Sequence, residues 1–404
     1  MHTHAQRQSI PQGKKMRLAS LSPLKRGALF YFGFFGAVGM FLPFLNVYFQ
    51  QELGFSGRQI GLLAIFAPLM TLLFAIPVAS LADRRRWRIR ILTIAIGGYG
   101  TMMLLNSLPQ TFVLVALLWF ITTVTMSPII PLADSLIVRM SLRNKLNYGS
   151  MRLWGSFGFA MASAIGGVLW GIFGFGIMFV TVGILFLLLP VLAFNLDEDP
   201  TKARKEAGDV SFWDIRRDTG LMVLMGTAFF AGVSLSISIM FDGIYMTSLG
   251  GTKFMIGIMF SMTAFGELPM MYYRERLARV FSDSTTLLFA YGVLLVSYVG
   301  YVLAWQPWMI VLTAATKGMG FGLFLPSGIQ FISKRVPEHW SSTVQSVFNA
   351  SMFGVAPLLA GPLGGELFDR FGPKAIYLCA SLSVAGAACI LVIAIIRGTF
   401  TNDV

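Results

Sequence analysis

"LGFSGRQIG", residues 53–61, decides how this chain is built, because it returns as "LGGTKFMIG" at residues 249–257 with its Leu-Gly and Ile-Gly pairs at the same spacing. A second pair of stretches repeats at almost the same distance. "GGVLWGIFG" (166–174) and "GGELFDRFG" (364–372) share the pattern Gly-Gly-x-Leu-aromatic-x-x-Phe-Gly. The offsets are 196 and 198 residues, so two independent matches point to one event, an internal duplication of the chain.

What is duplicated follows from hydropathy. Of the 404 residues, 56% are hydrophobic and only 12% charged, with a mean hydropathy of +0.72, which excludes a soluble globular domain. About 20 apolar residues cross the roughly 30 Å of hydrocarbon in a bilayer. The chain holds twelve such runs, at 28–49, 59–82, 91–108, 112–138, 150–170, 176–195, 220–247, 254–273, 286–305, 308–332, 342–363 and 375–396. They are continuously apolar rather than alternating, so they predict helices and not barrel strands. The expected organisation is an all-α membrane protein. A basic tail (1–27) precedes a six-helix bundle (28–195), a linker (196–219), a second bundle (220–396) and a short tail (397–404).

Orientation comes from the basic residues. With the N-terminus inside, 25 of the 31 Lys and Arg fall in cytoplasmic segments and four outside, while Arg152 and Lys317 lie within spans. This bias predicts both termini in the cytoplasm, and the expected location is the cell (inner) membrane. The net charge of +13 is then accounted for by topology and anionic lipid, and no nucleic-acid partner is needed. The first span is too long for a signal-peptide core and is expected to remain as an anchor. Cys379 and Cys389 share the last span on different faces and read as packing residues.

Charges inside the spans are few, and each is costly there unless paired or functional. They are Asp134, Arg152, Asp242, Glu267 and Lys317. Asp134 and Arg152 lie at similar depths near the inner ends of spans 4 and 5, and are expected to pair across that hairpin. Snorkelling of Arg152 to the interface is the alternative reading. Lys317 lies too deep to snorkel easily, and Glu267 sits near mid-span, whereas Asp242 could be solvated near the outer end. Trp154 could stack on a ring of a bound solute or anchor at the interface.

These residues carry a resemblance. The duplicated six-helix unit, the loop "ADRRRWRIR" (82–90) with Asp83 and Arg84 in place, and "SPIIPLADSL" (127–136) followed by "YGSMRLWGS" (148–156) resemble the major facilitator superfamily. The branch is that of the lactose, phenylpropionate and nucleoside permeases. The loop departs from the superfamily pattern at Ala79 and Arg86, where glycines are usual. The resemblance implies a solute site near the midplane between two halves. It places Asp134 and Arg152 on solute-contacting positions, and Glu267, in "GEL" (266–268), on a residue of recognition and coupling. Asp242 and Lys317 resemble a charge pair between helices 7 and 10, and Asp83 and Arg84 a loop that controls conformation. Where the lactose permease carries a His and a Glu beyond that lysine, this chain has Gly320 and Leu323, and Tyr298 stands in place of a helix 9 arginine. Proton coupling by that permease's own route is therefore not implied.

Other signals are weaker. "KGMGFG" (317–322) lies inside an apolar span with no preceding strand, so it reads as close helix packing through Gly318 and Gly322 rather than a phosphate loop. Prolines 43, 128, 131, 326 and 362 read as kinks. No Walker motif, HExxH or membrane histidine is present, and no enzyme activity, metal or cofactor is expected. The expectation is a secondary transporter, working as a monomer, that imports a small polar organic solute with protons. The candidate solutes are a sugar, a nucleoside or an aromatic acid. The alternatives are a proton-coupled exporter and a solute sensor with a transporter fold. Drug exporters carry a G-P-x-x-G-G motif in helix 5, and here "GPLGG" (361–365) falls in helix 11 instead.

Overall fold

Why the repeated stretches matter becomes clear from where helices end and cross. The computed structural model describes residues 21–108, 110–197, 218–277 and 280–399. Most of the basic N-terminal tail, the body of the linker and the last five residues, with the expectations made for them, lie outside the described residues. The helices are α1 (Pro23–Gln51), α2 (Gly57–Arg85), α3 (Arg88–Leu105), α4 (Phe112–Arg143), α5 (Tyr148–Phe173) and α6 (Met178–Ala193). After the linker come α7 (Thr219–Ser248), α8 (Lys253–Leu277), α9 (Asp283–Leu303), α10 (Pro307–Arg335), α11 and α12 (Pro373–Ile396). Eleven of them are long and apolar enough to span a membrane, and α6 is a shorter apolar helix. The described residues contain no strand.

Four helices are interrupted, α2 and α6 by a single residue each, Ile65 and Leu189, and α4 and α11 more extensively. α4 breaks between Met126 and Ile129, where Pro128 cannot donate to the helical ladder. α11 runs as Glu338–Asn349, a π-helical turn at Ala350–Val355, and Ala356–Phe371. Pro43, Pro326 and Pro362 sit within continuous helices.

Each repeated stretch makes a turn and then a crossing. Gly54 and Gly250, at matching positions, have φ of 67° and 83°, and Gly174 and Gly372, which end α5 and α11, have φ of 74° and 78°. Only glycine adopts this conformation without a steric cost. One turn further on, the same stretches bring backbones together. A Cβ on Gly61 of α2 would lie 2.2 Å from the Gly361 oxygen of α11, and one on Gly257 of α8 would lie 2.3 Å from the Ser163 oxygen of α5. Gly61 and Gly257 are the glycines of the repeated Ile-Gly pair. The two crossings are copies, and together they close the first six helices against the second six at one end.

Toward the arginine-rich end the same helices part. On α5 and α8 a cavity opens between Arg152, Ser156 and Phe159 on one wall and Phe260, Thr263 and Glu267 on the other. Ion pairs at that end tie helices within each set of six. Arg26 pairs with Asp197 at 2.8 Å in the first set. In the second, Arg335 pairs with Asp218 at 3.0 Å and Lys334 with Asp283 at 2.8 Å.

Candidate functional site

Helical periodicity decides which side chains reach this cavity. On α5, Arg152, Ser156 and Phe159 fall at i, i+4 and i+7 and share one face. Trp154, two residues from Arg152, falls on the opposite face. It is 48% exposed, packs edge-on against Phe32 and Phe157, and does not line the cavity. The expectation that Trp154 stacks on a solute is corrected by this geometry, which leaves the outward, anchoring position.

The cavity has a volume of about 610 Å³, within the range of small-molecule sites. Its walls are mostly aromatic and aliphatic, with Phe35 and Phe41 from α1, Trp119 from α4 and Phe353 from α11. Three charged groups enter it: Arg152, Glu267 and Lys317. Glu267 and Lys317 are placed there by glycines. A Cβ on Gly318 would meet the Thr263 oxygen at 2.0 Å, and one on Gly322 the Glu267 oxygen at 2.6 Å, so α8 and α10 lie backbone to backbone.

Asp134 and Arg152 do not form the expected ion pair. The Tyr31 hydroxyl donates to Asp134 Oδ1 at 2.5 Å and lies 3.1 Å from the Tyr148 hydroxyl. Arg152 instead stacks on Phe35, with its guanidinium carbon 4.0 Å from the ring centre and 5.5 Å from that of Tyr31. The physical reason is competition. A tyrosine on α1, fully buried, satisfies the carboxylate at the depth where the sequence offers only arginine, and aromatic faces hold the arginine.

Asp242 and Lys317 are brought together. The Lys317 ammonium donates to Asp242 Oδ2, and to Ser238 Oγ at 3.0 Å. Ser238 and Tyr377 each donate to Asp242 Oδ1 at 2.9 Å. Asp242 is 1% exposed and Lys317 2%, which corrects the reading of Asp242 as a solvated group near the outer surface. Tyr301 stacks on Tyr377 with ring centres 4.6 Å apart, walling off the pair on that side. Tyr298 is also fully buried beside it.

Glu267 accepts no hydrogen bond from the described residues and faces both Arg152 and Lys317 across the cavity. Far from it, Asp83 pairs with Arg88 at 2.5 Å, and Arg84 is exposed. Arg86, where the superfamily pattern has glycine, has φ 57° and ψ 40°. The backbone keeps the glycine conformation without the glycine.

Five residues of this site have no role in the sequence reading: Tyr31, Phe35, Tyr148, Tyr377 and Ser238. Tyr31 and Phe35 sit in an unbroken aromatic run, "LFYFGFF" (29–35), where nothing marks one ring from another. Ser238 did leave a signal, four residues before Asp242 on one helix face.

The profile of the MFS_1 like family matches residues 24–379. Among characterised relatives, the maltose permease of Geobacillus stearothermophilus is 30% identical over 374 residues, covering 91% of this chain and 93% of that protein. A probable 3-phenylpropionic acid transporter of Escherichia coli K12 is 24% identical, covering 88% and 94%. The quinolone resistance protein NorA of Staphylococcus aureus COL is 22% identical, covering 89% and 93%. Among solved structures, the nucleoside transporter NupG superposes with a TM-score of 0.78 at 16% identity, covering 94% of this chain and 99% of that one.

Proposed function

The chain belongs to the MFS_1 like family, a multi-pass membrane transporter of the major facilitator superfamily and not an enzyme, and on that premise we propose that it imports a small organic solute by proton symport. The bundles 28–195 and 220–396 rock about the cavity, with both termini in the cytoplasm of an inner membrane. The protein works as a monomer. The observation that carries this reading is the pair of opposite charges, Arg152 and Glu267, neither in an ion pair among the described residues, facing one another across a mostly apolar cavity whose third charge, Lys317, is held by Asp242.

Such walls suit a solute with a ring face and a few polar groups. A sugar, a nucleoside and a phenylpropionate-like acid all have both, and the maltose permease favours the sugar. The guanidinium offers a planar donor fork to hydroxyls or a carboxylate, and the aromatic rings take the solute's apolar face. Glu267, without a fixed partner in the cavity, carries the proton. A proton entering through 100 mV carries about 2.3 kcal/mol, which supports roughly 50-fold accumulation at 1.4 kcal/mol per tenfold.

The test is uptake by proteoliposomes, with an imposed pH gradient, of labelled maltose, uridine and 3-phenylpropionate. Gradient-dependent accumulation of one of them supports the reading. Likeness to NorA favours a second reading, export, which the same vesicles register as proton-driven extrusion of quinolones. Binding in a thermal-shift screen without movement in either direction would leave a solute sensor.

A further inference from the structure

Arg152 lines the cavity although a carboxylate, Asp134, lies close enough to attract it. A guanidinium and a carboxylate within reach of one another in a region poor in water normally close into a bidentate pair. Here they do not, and one side chain touches both. The Tyr31 hydroxyl holds Asp134 at 2.5 Å, while its ring flanks the Arg152 guanidinium at 5.5 Å. Tyr148 lies beside the same hydroxyl at 3.1 Å. Phe35, one turn along α1 from Tyr31, supplies the second and nearer face for Arg152.

We infer that Tyr31, seconded by Tyr148, is a positioning residue that keeps Asp134 from capturing Arg152 and so presents a free guanidinium to the cavity. The inference rests on the proposal that Arg152 binds the solute. The tyrosine hydroxyl supplies the carboxylate with the donor it needs and carries no charge to compete for the solute. The carboxylate in turn lends a long-range attraction that holds Arg152 near this wall without closing on it. Phe35 and Tyr31 give the guanidinium two aromatic faces, which restrict its approach and leave its N–H edge for the ligand. Removing the hydroxyls leaves the half-buried Asp134 short of donors, and Arg152, the cation whose charge already acts on it, can satisfy it. The arginine then turns from the cavity to the helix 4 side.

The consequence is read directly on Arg152, whether or not a solute is known. The full chain in detergent is treated with the water-soluble arginine reagent p-hydroxyphenylglyoxal, and modification of the peptide containing Arg152 is followed by mass spectrometry. The wild type reacts through its cavity. Tyr31→Phe/Tyr148→Phe reacts at least fivefold more slowly, and Tyr31→Phe alone by an intermediate factor. Adding Asp134→Asn to the double variant restores the wild-type rate, because the amide cannot form the ion pair. Equal rates in the wild type and the double variant overturn the inference. So does slowing that Asp134→Asn fails to relieve, since a merely structural tyrosine would give that result. In proteoliposomes, the labelled solute that accumulates among maltose, uridine and 3-phenylpropionate should show a KM raised several-fold in Tyr31→Phe, with the maximal rate changed less. The expected modification pattern without uptake of any of the three would sink the proposed import of these solutes and leave the positioning role standing.

Discussion

The two sets of six helices each carry an acid and a base within the membrane spans, fully buried in the second set and half-buried in the first, and they treat them in opposite ways. In the second set, Asp242 and Lys317 are closed on one another, with Ser238 and Tyr377 filling the remaining acceptor sites. In the first, Asp134 and Arg152 are kept apart, the acid on Tyr31 and the base on Phe35. A closed pair has spent its hydrogen-bonding capacity, and removing one member strands a charge. An open one keeps its capacity for something else. The difference suits the sealed pair to holding α7 against α10, and leaves the Arg152 of the open one for the solute-binding role proposed above.

The comparison breaks most visibly on stability. Lys317→Ala leaves a buried carboxylate without its cation, which costs about 3–5 kcal/mol. We expect it to lower the unfolding temperature in detergent sharply or to abolish folded protein. Asp242→Asn/Lys317→Met, which removes both charges, should recover most of that loss. Asp134→Asn keeps an acceptor for Tyr31 and strands no cation, so its cost should stay near 1 kcal/mol. Equal costs for Lys317→Ala and Asp134→Asn would erase the distinction between the halves.

Arg152→Ala sharpens it. Because Arg152 is paired with no carboxylate among the described residues, folding should survive almost unchanged. Loss of a charge-assisted contact worth about 1.5–3 kcal/mol should weaken solute affinity by roughly 10- to 100-fold. Arg152→Lys should fail similarly, since a point charge does not replace a planar fork stacked on Phe35. Normal uptake by Arg152→Ala would make the open pair a structural feature and not a site.

Much of this was legible from residues alone, for a physical reason. A bilayer imposes continuous apolar runs of fixed length, so most helices of the described residues begin and end within a few residues of the runs counted from sequence; α11 is the exception, continuing past the counted end at residue 363 to Phe371. Duplication was legible because glycines at backbone crossings admit no substitute, and the Ile-Gly pair at 60–61 and 256–257 marks such crossings. The Asp242 and Lys317 pair was legible through the resemblance, whereas counting depth along the helices set Asp134 against Arg152, which do not pair. What could not be counted was competition among partners. Whether Asp134 meets Arg152 or Tyr31 depends on the rotation of α1 against α4 and α5, and a run of aromatic residues hides that rotation. Trp154 was misplaced for a related reason, since proximity in sequence to Arg152 is separation around the helix.

Glu267 tests whether the cavity's free acid does separate work from the sealed one. Glu267→Gln keeps hydrogen bonding and cannot titrate, so the variant should exchange solute down a gradient at near wild-type rates. It should lose proton-driven accumulation, about 2.3 kcal/mol at 100 mV. Vesicles with an imposed pH gradient separate the two readouts. Undiminished accumulation would move the proton to Asp242, and if Asp242→Asn also accumulates, proton symport falls.

The smallest expected effect concerns the two crossings that close the cavity at the end we assign to the outside. They are copies in backbone and not in side chains. At the α2–α11 crossing, the first turn of α2 has every free N–H satisfied: Ser56 by Gln59 at 3.0 Å, Gln59 by Ser56 at 3.2 Å, and Gly57 and Arg58 by the Asp369 carboxylate at 2.7 and 2.8 Å. A carboxylate from one half thus caps a helix of the other, where the helix dipole favours it. At the α5–α8 crossing, the polar link among the described residues is one neutral bond from Ser261 Oγ to the Ala160 oxygen at 2.5 Å, for which the Gly257 oxygen of its own helix competes at 2.9 Å. On the rocking motion proposed above, these three bonds exist only while this end is closed, so each biases the equilibrium toward the closed form and none supports the fold of its own half. Asp369→Ala should shift that equilibrium by about 1 kcal/mol, roughly fivefold, toward opening. Ser261→Ala should shift it less, because a neutral bond is replaced by a carbonyl that α5 already uses. The readout is alkylation of Phe41→Cys in the cavity by an impermeant reagent added outside intact cells, with Cys379 and Cys389 replaced by alanine. Asp369→Ala should raise the alkylation rate several-fold and Ser261→Ala by less than twofold. A larger effect of Ser261→Ala would make the neutral crossing the stronger latch and reverse this last difference between the halves.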